Sequence, residues 1–196
     1  MNAKESLIEK FHLNRGFLHA RELNSAAMRY HLAKMVKEGT VNRIFQGMYV
    51  LNNHEQYDER VMLSELVPEG VFCLFSTWDF YGLTTTVPAK HHLALNRKTR
   101  ISTNESSNLQ IHYWSEKFYQ LGKTAVILAG KIIPMYDIER SVCDAVRFKN
   151  KVGDEMTIEV LRTYLKSKNR NLDKLMKYAS ELKVQAHISP YIKSMI

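Results

Sequence analysis

The stretch that decides the fold is Ser25-Ala26-Ala27-Met28-Arg29-Tyr30-His31-Leu32-Ala33-Lys34-Met35-Val36-Lys37-Glu38-Gly39, followed at once by Thr40-Val41-Asn42-Arg43-Ile44-Phe45-Gln46-Gly47-Met48-Tyr49-Val50-Leu51. Placed at 100° per residue, Met28, Leu32, Met35 and Val36 fall in one apolar sector, which predicts an amphipathic helix from about Ser25 to Glu38. Asn24 and Ser25 are good N-cap residues, and Gly39 is the preferred residue just past a helix end. The opposite face carries Ala26, Tyr30, Ala33, Lys34 and Lys37, with Arg29 at its edge and one acid, Glu38, at the far end. Two β-prone runs then flank Gln46-Gly47, so Val41–Leu51 reads as a hairpin.

Working outward, Ala3, Leu7, Ile8 and Phe11 lie on one face of a short helix that Asn14-Arg15-Gly16 breaks. Phe17-Leu18 leads into a short helical segment at His19–Leu23. Helix, turn, helix, second helix, then hairpin is the order of a winged helix-turn-helix, the fold expected for residues 1–55. There the helix after the turn enters the DNA major groove and the hairpin reaches the flanking backbone or minor groove. The candidate DNA-binding residues are therefore Ser25, Arg29, Tyr30, Lys34, Lys37, Arg43, Gln46 and Gly47. Arg43 and Gln46 sit on or near the wing tip, and Gly47 lets the turn approach a phosphate. Winged domains that bind only protein share this order, and a lysine-bearing face is often merely solvated, so the pattern alone leaves both readings open.

The remaining composition narrows the class. The chain has 196 residues, 45% hydrophobic and 24% charged, an ordinary globular mix. At this length no disulfide or metal is needed to hold a core. Cys73 and Cys143 have neither CxxC spacing nor a scaffold pattern, which suits a reducing compartment. No apolar run is long enough for a membrane span, and Met1–Ser6 puts charges where a signal peptide carries its apolar core. A cytoplasmic protein with no membrane partner is expected. The net charge is +8, and its distribution is uneven. Residues 1–55 hold 8 basic and 5 acidic side chains, residues 56–150 hold 11 and 10, and residues 151–196 hold 9 and 5. The excess lies at the two ends. An acidic partner such as nucleic acid or an acidic protein is the natural complement.

The polar run Asn52–Glu59 has no apolar face and reads as a linker, so a second domain is expected over 60–196. Val71–Phe75, His91–Asn96, Leu109–Trp114 and Lys131–Met135 are short β-prone runs. Asp137 is a plausible N-cap for a helix from Ile138 to about Phe148, and helices follow near Thr157–Lys166, Leu172–Leu182 and Ala186–Lys193. The expected fold class is thus α+β: an N-terminal winged helix-turn-helix, then a mixed α/β domain ending in a helical segment. Arg140 and Asp144 stand four apart, within pairing reach on one helix face. A possible second basic surface comprises Arg97, Lys98 and Arg100 on a loop and Arg162, Lys166, Lys168, Arg170, Lys174 and Lys177 in the C-terminal helices. DNA backbone or an acidic protein face would suit it equally.

No GxGxxG, GxSxG, HExxH or P-loop motif occurs. His91 and His92 are adjacent on an expected strand and point to opposite faces, so they cannot chelate one metal together. No catalytic residue, metal site or cofactor is expected. Two other classes remain: a ligand-responsive winged-helix transcription factor whose second domain senses a small molecule, and a nuclease or nucleotidyltransferase carrying a DNA-targeting module. The absence of clustered metal-binding carboxylates speaks against the enzyme.

Three blocks carry a resemblance. Leu32–Leu51 resembles the N-terminal winged helix of the AbiEi-type antitoxins: a leucine-rich helix ending in Gly39, an Arg43-containing strand, and the Gly47-Met48-Tyr49 turn into a second strand. Pro68–Thr84 is similar to the family's strand, short helix and Gly82-Leu83-Thr84 turn. Ile133–Asp144 is similar to its strand, its Tyr136-Asp137 helix start and its Arg140…Asp144 spacing. The segment Phe17–Ser25 departs from the family in having a shorter helix before the recognition helix. The resemblance implies an antitoxin of a type IV toxin–antitoxin pair associated with phage defence. Such a protein binds double-stranded operator DNA, represses its own operon, and counteracts a nucleotidyltransferase-like toxin.

Overall fold

A computed structural model describes residues 2–14, 16–45, 47–52, 58–100 and 108–195. Its class is α+β, and it ends in a helix. The chain divides into two compact units at Leu66/Val67. That division lies beyond the polar run expected as the linker, whose residues 53–57 are outside the described part.

In the first unit, helix α1 (Ala3–Leu13) starts at a capping box: the Asn2 side chain accepts from the Lys4 N–H, and Glu5 accepts from the Asn2 N–H at 2.9 Å. Strand β1 (Phe17–His19) follows, then a single 3-10 turn (Ala20–Glu22) in place of the short helix expected over 19–23. Helix α2 (Ala26–Lys37) is capped by Ser25, whose Oγ accepts from the Met28 N–H at 3.2 Å. Strands β2 (Val41–Phe45) and β3 (Met48–Leu51) form the hairpin. The sheet order is β1-β3-β2, all antiparallel, with Phe17 opposite Val50 and Arg43 opposite Tyr49. Leu7 and Phe11 of α1 pack with Leu18, Leu23 and Val41 on Met28, Leu32 and Met35 of α2. Each such buried side chain contributes about 1.5–3 kcal/mol, so this apolar stripe fixes which face of α2 turns inward. Helix α3 (Glu59–Leu66) belongs here as well: Met62 joins Phe17 and Val50 in a second small cluster.

The second unit is built on a five-stranded mixed sheet, order β6-β5-β4-β8-β7. Its strands are β4 (Val71–Phe72), β5 (His91–Asn96), β6 (Leu109–Trp114), β7 (Lys123–Leu128) and β8 (Lys131–Tyr136). Strand β4 is shorter than its apolar run because Leu74, at φ 48°, turns the chain sharply into α4 (Phe75–Phe80). Helix α5 (Glu116–Gln120) precedes β7, an edge strand that carries no alternating pattern to announce it. Helix α6 (Ile138–Arg147) begins at Asp137, which accepts from the Arg140 N–H, and every residue from Glu139 to Val146 is buried. Around it lie α7 (Lys149–Val152), α8 (Asp154–Lys166), α9 (Leu172–Glu181) and α10 (Gln185–Met195). Leu175 and Ala179 of α9 are fully buried, as their spacing required.

A buried helix carrying Glu139, Arg140 and Asp144 must pair its charges. Arg140 and Asp144 are both wholly buried and bonded at 3.1 Å, and the guanidinium also donates to the carbonyls of Phe118 (2.9 Å) and Leu121 (2.6 Å). It lies over the rings of Trp114 and Tyr136, 4.9 and 4.8 Å from their centroids. Burial pushes the Asp144 carboxyl up, and Arg140 and Arg147 pull it back. The pair is a structural device within the core. Among the described residues no helix is long and apolar enough to cross a membrane.

Candidate nucleic-acid interface

Burial of Met28, Leu32 and Met35 turns Arg29, Tyr30, Ala33, Lys34 and Lys37 outward, and all five are exposed. Tyr30 is 66% exposed, unusual for so large a ring. It stands edge-on to His31 at 5.5 Å. Lys34 has one acidic neighbour, Glu38, at 3.8 Å, while among the described residues no carboxylate pairs with Arg29, Lys37 or Arg43. Arg29 makes one long hydrogen bond, 3.4 Å, to the Leu23 carbonyl. The helix thus presents a cationic and aromatic face along its length, with no acid in its first turn. Ser25 is spent on capping as an acceptor, and its hydroxyl proton remains free to donate.

Arg43 is exposed on β2, opposite Tyr49. Gln46 lies outside the described residues. Gly47 has φ +80°, a left-handed conformation that favours glycine, and its carbonyl accepts from the Ala20 N–H at 2.6 Å. A Cβ there would meet Ala20 and His19 at 3.7 Å. Gly47 therefore packs beside the 3-10 turn, and its positive φ gives this residue a backbone role in the turn.

The supposed second basic surface divides. Arg97, Lys98 and Arg100 are exposed after β5, although Arg100 folds back on the carbonyls of Arg97 (3.2 Å) and Thr99 (3.4 Å). Arg162, Lys166, Lys168, Arg170 and Lys177 are exposed on and between α8 and α9. Lys174 is not part of it. Its ammonium binds Asp137 at 3.1 Å and Glu139 at 3.0 Å. Desolvation opposes its charge, but these hydrogen bonds outweigh it and hold the ammonium above its ordinary range. Tyr178 donates to Asp137 and Tyr164 to Glu139, completing an internal network.

The sequence pattern missed one constellation. His92 Nδ1 and His112 Nε2 lie 2.9 Å apart on the paired strands β5 and β6, rings stacked at 17°. Desolvation lowers both to about 4, aided at His92 by His112, His91 and Lys90, and at His112 by Lys151. Nothing in their spacing foretells this, because the register of two strands joined by a long connection is not written locally. Among the described residues no group of three or more His, Cys, Asp or Glu is placed to hold a metal. Cys73 and Cys143 are free and buried, and desolvation raises both thiols, the reverse of a nucleophilic cysteine. The strained strand-to-helix elbow bears Leu74, which supplies no nucleophile.

No protein-family model and no curated protein matches the chain.

Proposed function

We propose that the first unit is a winged helix-turn-helix that binds double-stranded operator DNA, and that the chain is a repressor and antitoxin of the AbiEi type. The observation that carries the DNA-binding half is the union of two features. One is the order α1-β1-turn-α2-β2-β3 with strands arranged β1-β3-β2, which supports the reading of a winged helix whose middle helix is replaced by a 3-10 turn. The other is the outward face of α2, where Arg29, Tyr30, Lys34 and Lys37 coincide with the helix that such a fold inserts into the major groove. The cations contact phosphates, while Tyr30 and the small Ala33 face base edges, an apolar pairing suited to a thymine methyl.

The antitoxin half rests on the resemblance of Pro68–Thr84 and Ile133–Asp144 to that family. In this reading the second unit counteracts a nucleotidyltransferase-like toxin, and the exposed basic residues of α8 and α9 offer the contact. Fluorescence anisotropy with duplex DNA from upstream of the coding sequence tests the first half. Four phosphate contacts, by Arg29, Lys34, Lys37 and Arg43, give a slope of about −3.6 in log K against log salt, at about −0.9 per contact. Absence of binding at 50 mM salt overturns it. Co-expression with the product of an adjacent nucleotidyltransferase-like gene tests the second: restored growth supports the antitoxin, and continued arrest refutes it.

A further inference from the structure

Strand β7 lies at one edge of the second unit's sheet, and among the described residues its far side faces no strand. Natural proteins protect such edges with charges, prolines or bulges. Here Thr124-Ala125-Val126-Ile127-Leu128-Ala129-Gly130 contains none, and charge returns only at Lys123 and Lys131. Lys123 is turned back toward Tyr119, 3.3 Å from its hydroxyl. On the hairpin's outer face Ile127 and its cross-strand partner Ile132 are 75% and 74% exposed, although isoleucine is among the most buried residue types. Ala125, on the same face as Ile127, is exposed too.

We infer that β7 is a self-association edge, pairing antiparallel with β7 of a second copy of this chain about a two-fold axis through Val126. The choice of occupant follows from charge and symmetry. A charged peptide finds no counter-charge between residues 124 and 130, so the edge fits an uncharged, β-prone strand, and β7 is itself such a strand. A two-fold axis normal to the sheet keeps inward and outward faces matched only if one residue meets its own copy. Centred on Ala125, the pairing would set Lys123 against Ile127. Centred on Val126, it sets Ile127 beside Ala125 of the second copy and moves Lys123 out to the end of the paired strands. Because Ile127 pairs with Ile132 and Ala125 with Pro134, the row across four strands reads Ile132, Ile127, then Ala125 and Pro134 of the second copy. That row is continuous and wholly uncharged.

A strand of 6 residues on each side buries less than the roughly 1,200 Å² of a stable interface, so the dimer forms at micromolar concentrations and dissociates readily. Each copy carries +8, so added salt strengthens the association. This is opposite in sign to DNA binding and independent of it.

Sedimentation velocity of the full chain, from 1 to 200 μM at 0.1 and 0.5 M salt, tests the inference. The weight-average mass is expected to rise from 22.8 kDa toward twice that value, and further at high salt. Ile127→Lys and, separately, Ile132→Lys alter exposed positions, and each weakens the association at least tenfold without changing the circular dichroism spectrum. Ile127→Glu alone does the same, whereas an equimolar mixture of the Ile127→Lys and Ile127→Glu variants recovers dimer. A wild-type chain that stays at 22.8 kDa throughout overturns the inference. So does self-association that persists in all three variants.

Discussion

Gly122 offers the sharpest test of how the second unit is built. Its φ is +73°, and a Cβ at that position would lie 2.6 Å from Cβ and 2.9 Å from Cγ of Arg140. Ordinary carbon contacts are about 3.5–4.0 Å, so Gly122→Ala demands a shift of roughly 1 Å. The obstructing atoms are no flexible tip. They sit at the root of a side chain whose helix is buried and whose guanidinium is fixed by Asp144 at 3.1 Å, Phe118 O at 2.9 Å and Leu121 O at 2.6 Å. A displacement of about 1 Å takes at least one of these charged hydrogen bonds out of range, at about 1.5–3 kcal/mol each. The left-handed backbone adds about 1–2 kcal/mol for any residue with a Cβ. The expected loss is therefore about 3–5 kcal/mol. Gly82→Ala is the matched control: its φ is +61° but nothing lies within 4 Å of the added Cβ, so only the backbone cost of about 1–2 kcal/mol applies. Both tryptophans, Trp78 and Trp114, are buried in the second unit, so urea unfolding followed by their fluorescence reports this unit alone. Equal losses in the two variants would refute the claim that Arg140 is a rigid anchor.

The remaining expectations concern charge and protonation. Lys34→Ala and Lys37→Ala each lower DNA affinity and reduce the salt slope by about 0.9 without altering sequence preference, whereas Tyr30→Ala leaves the slope intact and relaxes preference, as competition with scrambled duplexes would reveal. Lys174→Met strips Asp137 and Glu139 of their cation and destabilises the second unit by about 2–4 kcal/mol in the same urea assay, while Lys177→Ala, at an exposed position, changes it by less than about 0.5 kcal/mol. For His92 and His112 the folded values, about 4, lie below the unfolded value of 6.5. Between pH 6.5 and 4 the unfolded chain binds more protons than the folded one, so stability falls as pH falls through that window and levels off below it. With allowance for their partial exposure the pair accounts for about 2–4 kcal/mol, and His92→Gln/His112→Gln is expected to flatten the tryptophan-monitored stability profile there. A profile equally steep in that variant would assign the acid sensitivity elsewhere.

Legibility in the sequence follows the range of the forces involved. Helix α2 is readable because its cap, its apolar stripe and its terminal glycine all lie between Ser25 and Gly39, and the hairpin because its turn separates adjacent runs. Asp137 announces α6 by the same local logic. Strand β1 is not readable: Phe17–His19 becomes a strand only by pairing with Met48–Val50, far along the chain. Strand β7 carries no alternation of polar and apolar residues, since at the sheet edge its outward face holds Ala125 and Ile127 as well as its half-buried face Val126 and Leu128. The second basic surface fails at Lys174 for a related reason. On α9 alone Lys174 resembles Lys177, and only the approach of α6 and its N-cap delivers two carboxylates to one of them.

That last difference bears on how net charge should be read. Residues 1–55 and residues 151–196 carry similar excesses, +3 (8 basic less 5 acidic) and +4 (9 less 5), and from the second group the fold draws in Lys174. In the second unit Arg140, Arg147 and Lys174 are drawn onto Asp144, Asp137 and Glu139, where cations compensate carboxylates that burial would otherwise penalise. A pair of this kind has little field outside itself. On α2 and β2 there is no comparable demand: among the described residues Arg29, Lys37 and Arg43 meet no carboxylate, and Lys34 meets one at 3.8 Å at the surface. The excess of residues 1–55 is thus concentrated on a single exposed helix face and its neighbouring strand, while that of residues 151–196 is spread over Arg162, Lys166, Lys168, Arg170 and Lys177 on and between α8 and α9. Phosphate affinity depends on such unpaired, clustered cations and not on the sum over the chain. If DNA binding fell equally on neutralising one cation of α2 and on neutralising Lys174, with the fold intact in both, this ordering of the charges would be wrong.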